Sequence, residues 1–385
     1  MQLGFSFSEE QELIRQTARS FAAERVADGA AARDREGRFP ADLLPALGQM
    51  GLLGIKVPVE DGGAGADMVS YVLAIEAVSE ACAATGVTLA VCNLTADILA
   101  RHGSPEQKVR WLEPYLEGKL GAGTFALSEP HCGSDAPALS MSAVRDGDSF
   151  VLNGTKQWIT NGGFAGIHLV FAKTSPEKGS RGITCFLVEQ GTPGLHAGHE
   201  EKKMGLRGSN TAQLHLEDCR VPAENVLGEV DNGYSIALGC LDGGRIGIAA
   251  QSLGIGEAAF REGVRYAEDR NAFGKKVSDF QASQFAIADS RLELDQAWLF
   301  TLRAAEVNQR LGRSARESSM AKLAASETCN RVADRMLQLH GGYGYVEDYP
   351  IERLYRDARV TRIYEGTSEV QRLVIAREVL RNQSG

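Results

Sequence analysis

The sequence predicts a mostly helical α+β protein in three parts: a helical domain over residues 1–121, a β-barrel domain over 122–229 and a four-helix bundle over 230–385. Three observations carry this. Capped amphipathic segments fill the first part. Short runs of β-branched and aromatic residues, bounded by Gly, Pro and Ser, fill the second. Four long segments rich in Ala, Leu, Glu and Arg, broken by glycines, make up the third.

In "SEEQELIRQTARSFAAERVA", Ser8 can cap a helix, Glu9 and Glu10 suit its N-terminus, and Leu13, Ile14, Thr17, Phe21 and Val26 form an apolar stripe. "SPEQKVRWLEPYL" repeats the logic, with Ser104 as N-cap, Pro105 in the first turn and Gln107 closing a capping box. Between them "PVEDGGAGAD" reads as a loop. In the second part, "SFVLNGTKQWITNGG" places strand formers around Asn153-Gly154, a hairpin signal. "IHLVFAKTS", "GITCFLVEQ" and "TAQLHLEDCRVP" read as further strands of a sandwich or barrel. Helical periodicity returns over 242–270, 280–311, 316–340 and 366–381.

At 385 residues with 43% hydrophobic and 24% charged content, the chain can bury a large core without metals or disulfides. A net charge of −9 with no basic block argues against a nucleic-acid partner. The 7 cysteines are scattered and form no C-x-x-C pair, as expected of reduced thiols in a cytoplasmic protein. The opening "MQLGFSFSEEQELIRQ" has acids where a signal peptide needs a basic and then an apolar region. No apolar run approaches about 18 residues, so no integral membrane segment is expected.

Several motifs point nowhere alone. "GIGEAA" at 254–259 matches a dinucleotide fingerprint but lacks a preceding strand, and small residues at helical spacing fit close helix packing better. His196 and His199 lack a third ligand at metal-site spacing, so no metal is expected. "TFALSEPHCGSD" and "KQWITNGG" are loops able to meet a flat or anionic ligand, or merely to turn the chain. Glu365, in "RIYEGTSEVQRLV", is an acid at a glycine-broken junction before a helix. It could complement the helix dipole or act as a base.

Together, "FALSEPHCGSD", "NGTKQWITNG", "LDGGRIGIAAQSLGIGEA", "YAEDRNAFGK" and "QLHGGYGYVEDYPIERLYRDARVTRIYEGTSEVQRLV" resemble the acyl-CoA dehydrogenase family along essentially the whole chain. The likeness is strongest to its short-chain, butyryl-CoA branch. The resemblance implies FAD as cofactor, an acyl-CoA substrate oxidised to the trans-2-enoyl-CoA, an electron-transfer flavoprotein as acceptor and a homotetramer. It implies that Glu365 takes the α-proton while the β-hydride moves to flavin N5. It places Phe125, Ala126, Leu127, Ser128, Gly133 and Ser134 of one loop, and Trp158, Ile159 and Thr160 of another, around the flavin. It places Arg270, Phe273, Gln281, Gln338, Gly341 and Gly342 on the FAD of a neighbouring subunit, and Thr367, Ser368 and Glu369 at a helix start suited to the pyrophosphate. Ser134, Asp242, Arg245 and Gly366 would contact the CoA pantetheine and thioester. Some members carry the base at the position of Gly244 and have glycine at that of Glu365. Alternatives are a same-fold oxidase, a dehydrogenase of branched, cyclic or dicarboxyl acyl-CoA, and a non-catalytic flavin-binding scaffold. An arginine facing the acyl chain would favour a dicarboxyl substrate, yet "TGVTLAVCNLTADILARHG" has none before Arg101.

Overall fold

The computed structural model describes residues 6–381; residues 1–5, which begin the stretch read as lacking a signal peptide, and 382–385 lie outside it. The chain folds as the three-domain, mostly helical architecture expected. Helix α1 (Glu9–Phe21) starts at Ser8, whose side chain accepts from the Gln11 N–H in a capping box. A π-turn, Ala22–Val26, follows. Ala18, Phe21, Ala22 and Val26 are buried, but Leu13 is exposed, contrary to the expected stripe. Leu13 lies about 80° around the helix from Phe21 at 100° per residue, whereas Ile14 lies only about 20° away.

Helices α2 (Met68–Ala81) and α3 (Ala83–His102) form the centre of the first domain. The expectation of no long apolar run needs correction. By length and composition α3 could cross a membrane, but it is the core helix of this domain, with 94% of its apolar window buried. The Ser104–Gln107 capping box forms as expected.

The middle domain is one eight-stranded sheet, β1 (Ala122–Ala126), β2 (Ser142–Asp146), β3 (Ser149–Thr160), β4 (Ala165–Lys173), β5 (Ile183–Glu189), β6 (Leu195–Glu200), β7 (Thr211–Pro222) and β8 (Val226–Leu227). The strands run β6-β7-β3-β2-β4-β5-β8, with β1 parallel to β4. β2 and β4 share only the Ser142–Lys173 pair, so the sheet folds there and its halves close on one core. Phe150 from one half meets Phe186 from the other edge-on, ring centres 5.2 Å apart. The hairpin is not at Asn153-Gly154. β2 and β3 turn at Gly147-Asp148, and Asn153-Gly154 forms a bulge against β7. A Cβ on Gly154 would stand 3.0 Å from Met141, and the Asn153 side chain accepts from the Asp218 N–H, so the dipeptide serves the bulge. His196 and His199 are exposed on β6.

The last domain holds α4 (Gly233–Asp269), α5 (Gln281–Leu311), α6 (Ala315–His340), α7 (Pro350–Arg359) and α8 (Ser368–Arg381). Two details depart from expectation. α4 begins well before residue 242, and α7 is an additional short helix, amphipathic through Ile351, Leu354 and Ala358. Both the bundle and the N-terminal helices depend on α4. A Cβ at Gly254 would lie 2.5 Å from the Glu76 carbonyl oxygen, and one at Gly256 would lie 2.8 Å from Leu294, so "GIGEAA" is a helix-packing stripe. The 7 cysteines are free and buried.

Glu76 of α2 is buried near this crossing, with Arg19 4.0 Å away and no hydrogen bond at Oε2 among the described residues. Burial pushes its carboxyl up to about 7, against the pull of Arg19. The folded state therefore favours the neutral acid, and stability falls as pH rises from about 4.5 toward 7. Glu76→Gln should stabilise the protein above pH 7 by on the order of 2 kcal/mol and little below pH 5. Thermal melts across that range check this, and a variant with the wild-type pH dependence contradicts it.

Candidate active site

After α7 a 3₁₀ turn, Val360–Arg362, leads to Glu365 at φ +53° and Gly366 at φ +91°. Left-handed backbone is ordinary for glycine and costs about 1 kcal/mol or more for glutamate, so the surroundings must hold it. They do so through its carbonyls. Gln371 Nε2 donates to Glu365 O at 3.0 Å and Gly366 O at 2.9 Å, and Lys322 Nζ donates to Gly366 O at 2.7 Å. The Glu365 N–H has no acceptor among the described residues. One turn thus presents a free amide donor and a carboxyl group together.

The Glu365 carboxyl packs against α4, where a Cβ on Gly244 would lie 2.9 Å from Oε2. Burial raises its pKa, while the Arg245 and Lys322 charges pull it back. Tyr364 donates its hydroxyl proton to Gln251 Oε1, and Gln251 Nε2 donates to Ala83 O at 3.0 Å. This ties the turn to α4 and α3. Arg245 is buried and donates to Asp242 at 3.3 Å. Asp242 also accepts from the Ser314 N–H at 2.8 Å and the Ser318 hydroxyl at 3.2 Å, which fixes it to the α5–α6 junction. Asp242, Arg245, Glu365 and Gly366 therefore converge. Ser134 lies apart on an exposed loop, which comes near α4 where Asp135 acts on Tyr234.

A second group lines the edge of the middle domain. The Gln157 N–H donates to Ser128 O at 2.9 Å, and the buried Lys156 donates to Leu127 O at 3.1 Å and Glu129 at 2.7 Å. These bonds hold loop 127–134 beside β3. Trp158, at φ +63°, stands 61% exposed, and Thr160 is partly exposed. Ala126 and Ile159 turn their side chains into the barrel core, so a ligand beside them would meet their backbone. Phe125 and Leu127 pack toward the helical domain, and Gly133 is exposed. At the start of α8, Ser368 donates its hydroxyl to Glu327, so that side chain is engaged, while Thr367 Oγ1 caps Val370 and Glu369 is exposed. The ligand atoms of Glu129, His131 and Cys132 lie within 4.8 Å of one another, but Glu129 is engaged by Lys156, Ser140 and Met141.

A third group is exposed at the far end of α4. The Arg270 guanidinium sits 5.4 Å from the Tyr343 ring centre, and Phe273, at φ +49°, is 97% exposed. Gln281, Gln338, Gly341 and Gly342 are also exposed, and a Cβ on either glycine would meet nothing within 4 Å. Arg270 lies 26 residues beyond Gly244, about 39 Å along one helix. The chain therefore offers, apart from the Glu365 turn, an exposed Trp158 beside loop 127–134 and an open, cationic glycine cradle at the far end of α4. Both fit parts of a flavin dinucleotide.

Sequence reasoning missed Lys322, Gln371 and Gln251. A lysine within the small, buried stripe Ser318, Ala325 and Cys329 was the available signal for the first.

Comparison with known proteins matches this geometry. Models of the N-terminal, middle and C-terminal domains of acyl-CoA dehydrogenase match residues 8–119, 124–219 and 231–380. The mitochondrial short-chain specific acyl-CoA dehydrogenase of Mus musculus is 49% identical over 97% of this chain and 91% of its own length. Butyryl-CoA dehydrogenase from Megasphaera elsdenii superposes with a TM-score of 0.95 at 39% identity, covering 98% of this chain and 99% of the other. A chain solved in work on the electron transferring flavoprotein of Acidaminococcus fermentans superposes with a TM-score of 0.96 at 42% identity, covering 98% and 99%. The family is FAD-dependent, and a glutaryl-CoA dehydrogenase from Mycobacterium smegmatis, TM-score 0.91 at 30% identity over 97% and 95% of the chains, was solved with FADH2. With all three domains matched in order and nearly half the residues shared with one relative, this chain belongs to the acyl-CoA dehydrogenase family of oxidoreductases.

Proposed function

We propose that the protein oxidises a short-chain acyl-CoA to the trans-2-enoyl-CoA, with Glu365 as the base that removes the α-proton. The observation that carries this reading is the pairing, on one left-handed turn, of a desolvated carboxyl group and a free backbone N–H. An α C–H of a thioester is a weak acid, so its carboxylate base needs a donor on the developing enolate oxygen. The Glu365 N–H supplies that donor from the same residue. Bound FAD would supply the acceptor for the β-hydride. Trp158, Thr160 and loop 125–134 would orient its ring, and Ser134, Asp242 and Arg245 would hold the CoA arm. Desolvation strengthens Glu365 as a base, while Arg245 and Lys322 keep part of its population ionised. Short-chain preference rests on the short-chain and butyryl-CoA relatives.

Electron delivery to an electron-transfer flavoprotein and assembly as a homotetramer belong to the same reading. The Acidaminococcus structure supports the first. The roughly 39 Å between Gly244 and Arg270 supports the second, because that cationic cradle needs a second copy to reach a flavin at Glu365. Exposed Phe285, Leu292 and Leu299, spaced seven residues apart on α5, give such a copy an apolar face.

Glu365→Gln should keep FAD and bind butyryl-CoA, yet lose about a hundred- to ten-thousand-fold in turnover. Substantial remaining dehydrogenation contradicts the assignment, and faster turnover of C12 than C4 substrate contradicts the short-chain reading. Glu365→Gly should be nearly inactive, whereas Glu365→Gly with Gly244→Glu should regain a measurable fraction. The gain would be partial, since a misplacement of about 1 Å can cost a hundredfold. A folded, yellow double variant no faster than Glu365→Gly shows that the two positions do not serve one substrate carbon. Arg270→Ala should weaken FAD retention and assembly together, by about 1.5–3 kcal/mol for a charge-assisted contact. Unchanged flavin content and gel-filtration profile would rule out the shared cofactor site.

A further inference from the structure

Lys322 of α6 has no exposed surface. Among the described residues its one hydrogen bond is to the Gly366 carbonyl oxygen, at 2.7 Å, and no carboxylate lies within ion-pair distance. A buried ammonium is costly unless nearby negative charge compensates it, and one neutral carbonyl is weak compensation. The strongest favourable charge acting on Lys322 is Glu365, followed by Glu327 and Glu369, with Arg245 opposing. Glu365 in turn is faced by Arg245 and Cys240 from α4, Tyr71 from α2, Lys322 from α6 and its neighbour Tyr364, with Asp97 of α3 acting on the same Tyr71 and Cys240. The two cations are not equivalent. Arg245 is hydrogen-bonded to Asp242, while Lys322 is bonded to the very peptide that follows the base.

We infer that Lys322 is a positioning residue for proton abstraction: it pins the Gly366 carbonyl from the buried side, holds the Glu365–Gly366 turn in its left-handed form, and sets a positive charge facing the Glu365 carboxylate. The inference rests on Glu365 being the base. Lys322 touches neither substrate nor reacting atoms; it acts through the turn. Gln371 anchors the Glu365 and Gly366 carbonyls from α8, so loss of Lys322 removes one of the three hydrogen bonds that hold the turn. Burial lowers the lysine to about 8, so it is charged at neutral pH and loses its charge just above.

The experiment is the pH profile of kcat/KM with butyryl-CoA for wild type, Lys322→Gln and Lys322→Met, with Glu365→Gln alongside. Glutamine keeps a donor for the Gly366 carbonyl and removes the charge; methionine removes both. The acid limb, where the base ionises, should move up by about one pH unit in both, costing about tenfold in kcat/KM on that limb. Only Lys322→Met should also lower kcat on the plateau. A folded, FAD-replete Lys322→Gln whose acid limb stays at the wild-type pH overturns the proposal. Should neither variant hold FAD, Lys322→Arg decides: it keeps both the charge and a donor, so it must hold FAD with the acid limb at the wild-type pH, and an arginine variant that loses FAD or whose limb moves up overturns the proposal. If Glu365→Gln stays active, the base assignment itself has failed. If it is inactive while the Lys322→Gln limb is unmoved, only the role of Lys322 has.

Discussion

The structure depends on one contact, the Glu365 carboxyl against Gly244 of α4. No side chain fits between them, because a Cβ at Gly244 would already crowd Oε2. The contact sets the separation of the α7–α8 turn from the longest helix and desolvates the carboxyl enough to raise its pKa. Glycine recurs along the same helix wherever another element must come equally close. Gly247 meets the Tyr71 hydroxyl and Gly254 the α2 backbone, where a Cβ would come within 2.4 and 2.5 Å. One helix with a stripe of missing side chains therefore collects the base, the N-terminal domain and the bundle onto a common axis.

Around that axis the polar groups are arranged asymmetrically. The carbonyls of Glu365 and Gly366 are fully engaged by Gln371 and Lys322, while the Glu365 amide is left open. A turn whose acceptors are satisfied from inside and whose donor faces outward is prepared for a ligand oxygen before any ligand arrives. The middle domain contributes through the buried Lys156–Glu129 pair, which fastens the loop after β1 to β3. There, as at Lys322, a buried cation fixes backbone carbonyls beside the site.

Much of this was legible in the sequence, for identifiable reasons. Helix caps at Ser8 and Ser104 are local chemistry, and both formed as read. Glu365 was legible because an acid beside Gly366 has few structural reasons to exist, and its surrounding motif resembled a known family. The misplaced hairpin shows where local reading fails. Gly147-Asp148 and Asn153-Gly154 are both good turn signals, and only pairing with β7 assigns the first to the turn and the second to a bulge. Ala126 and Ile159 sit within functional motifs yet point into the barrel, because strand alternation overrides membership of a motif. Lys322, Gln251 and Gln371 were invisible for a related reason. Their partners are 44, 113 and 6 residues away, and only the last separation is short.

The buried thiols give the molecule an unplanned property. Cys82 and Cys92 lie in the first domain, Cys132, Cys185 and Cys219 in the second, and Cys240 and Cys329 in the third, all free and enclosed. A thiol attacks as the thiolate, and burial pushes six of these seven above their ordinary range, Cys185 and Cys329 among the furthest. In the native state burial makes those six poor nucleophiles. Alkylation then proceeds only through local or global opening, and each domain carries its own clock for that event. The order in which the cysteines react reports which domain breathes first, with no label added to the chain.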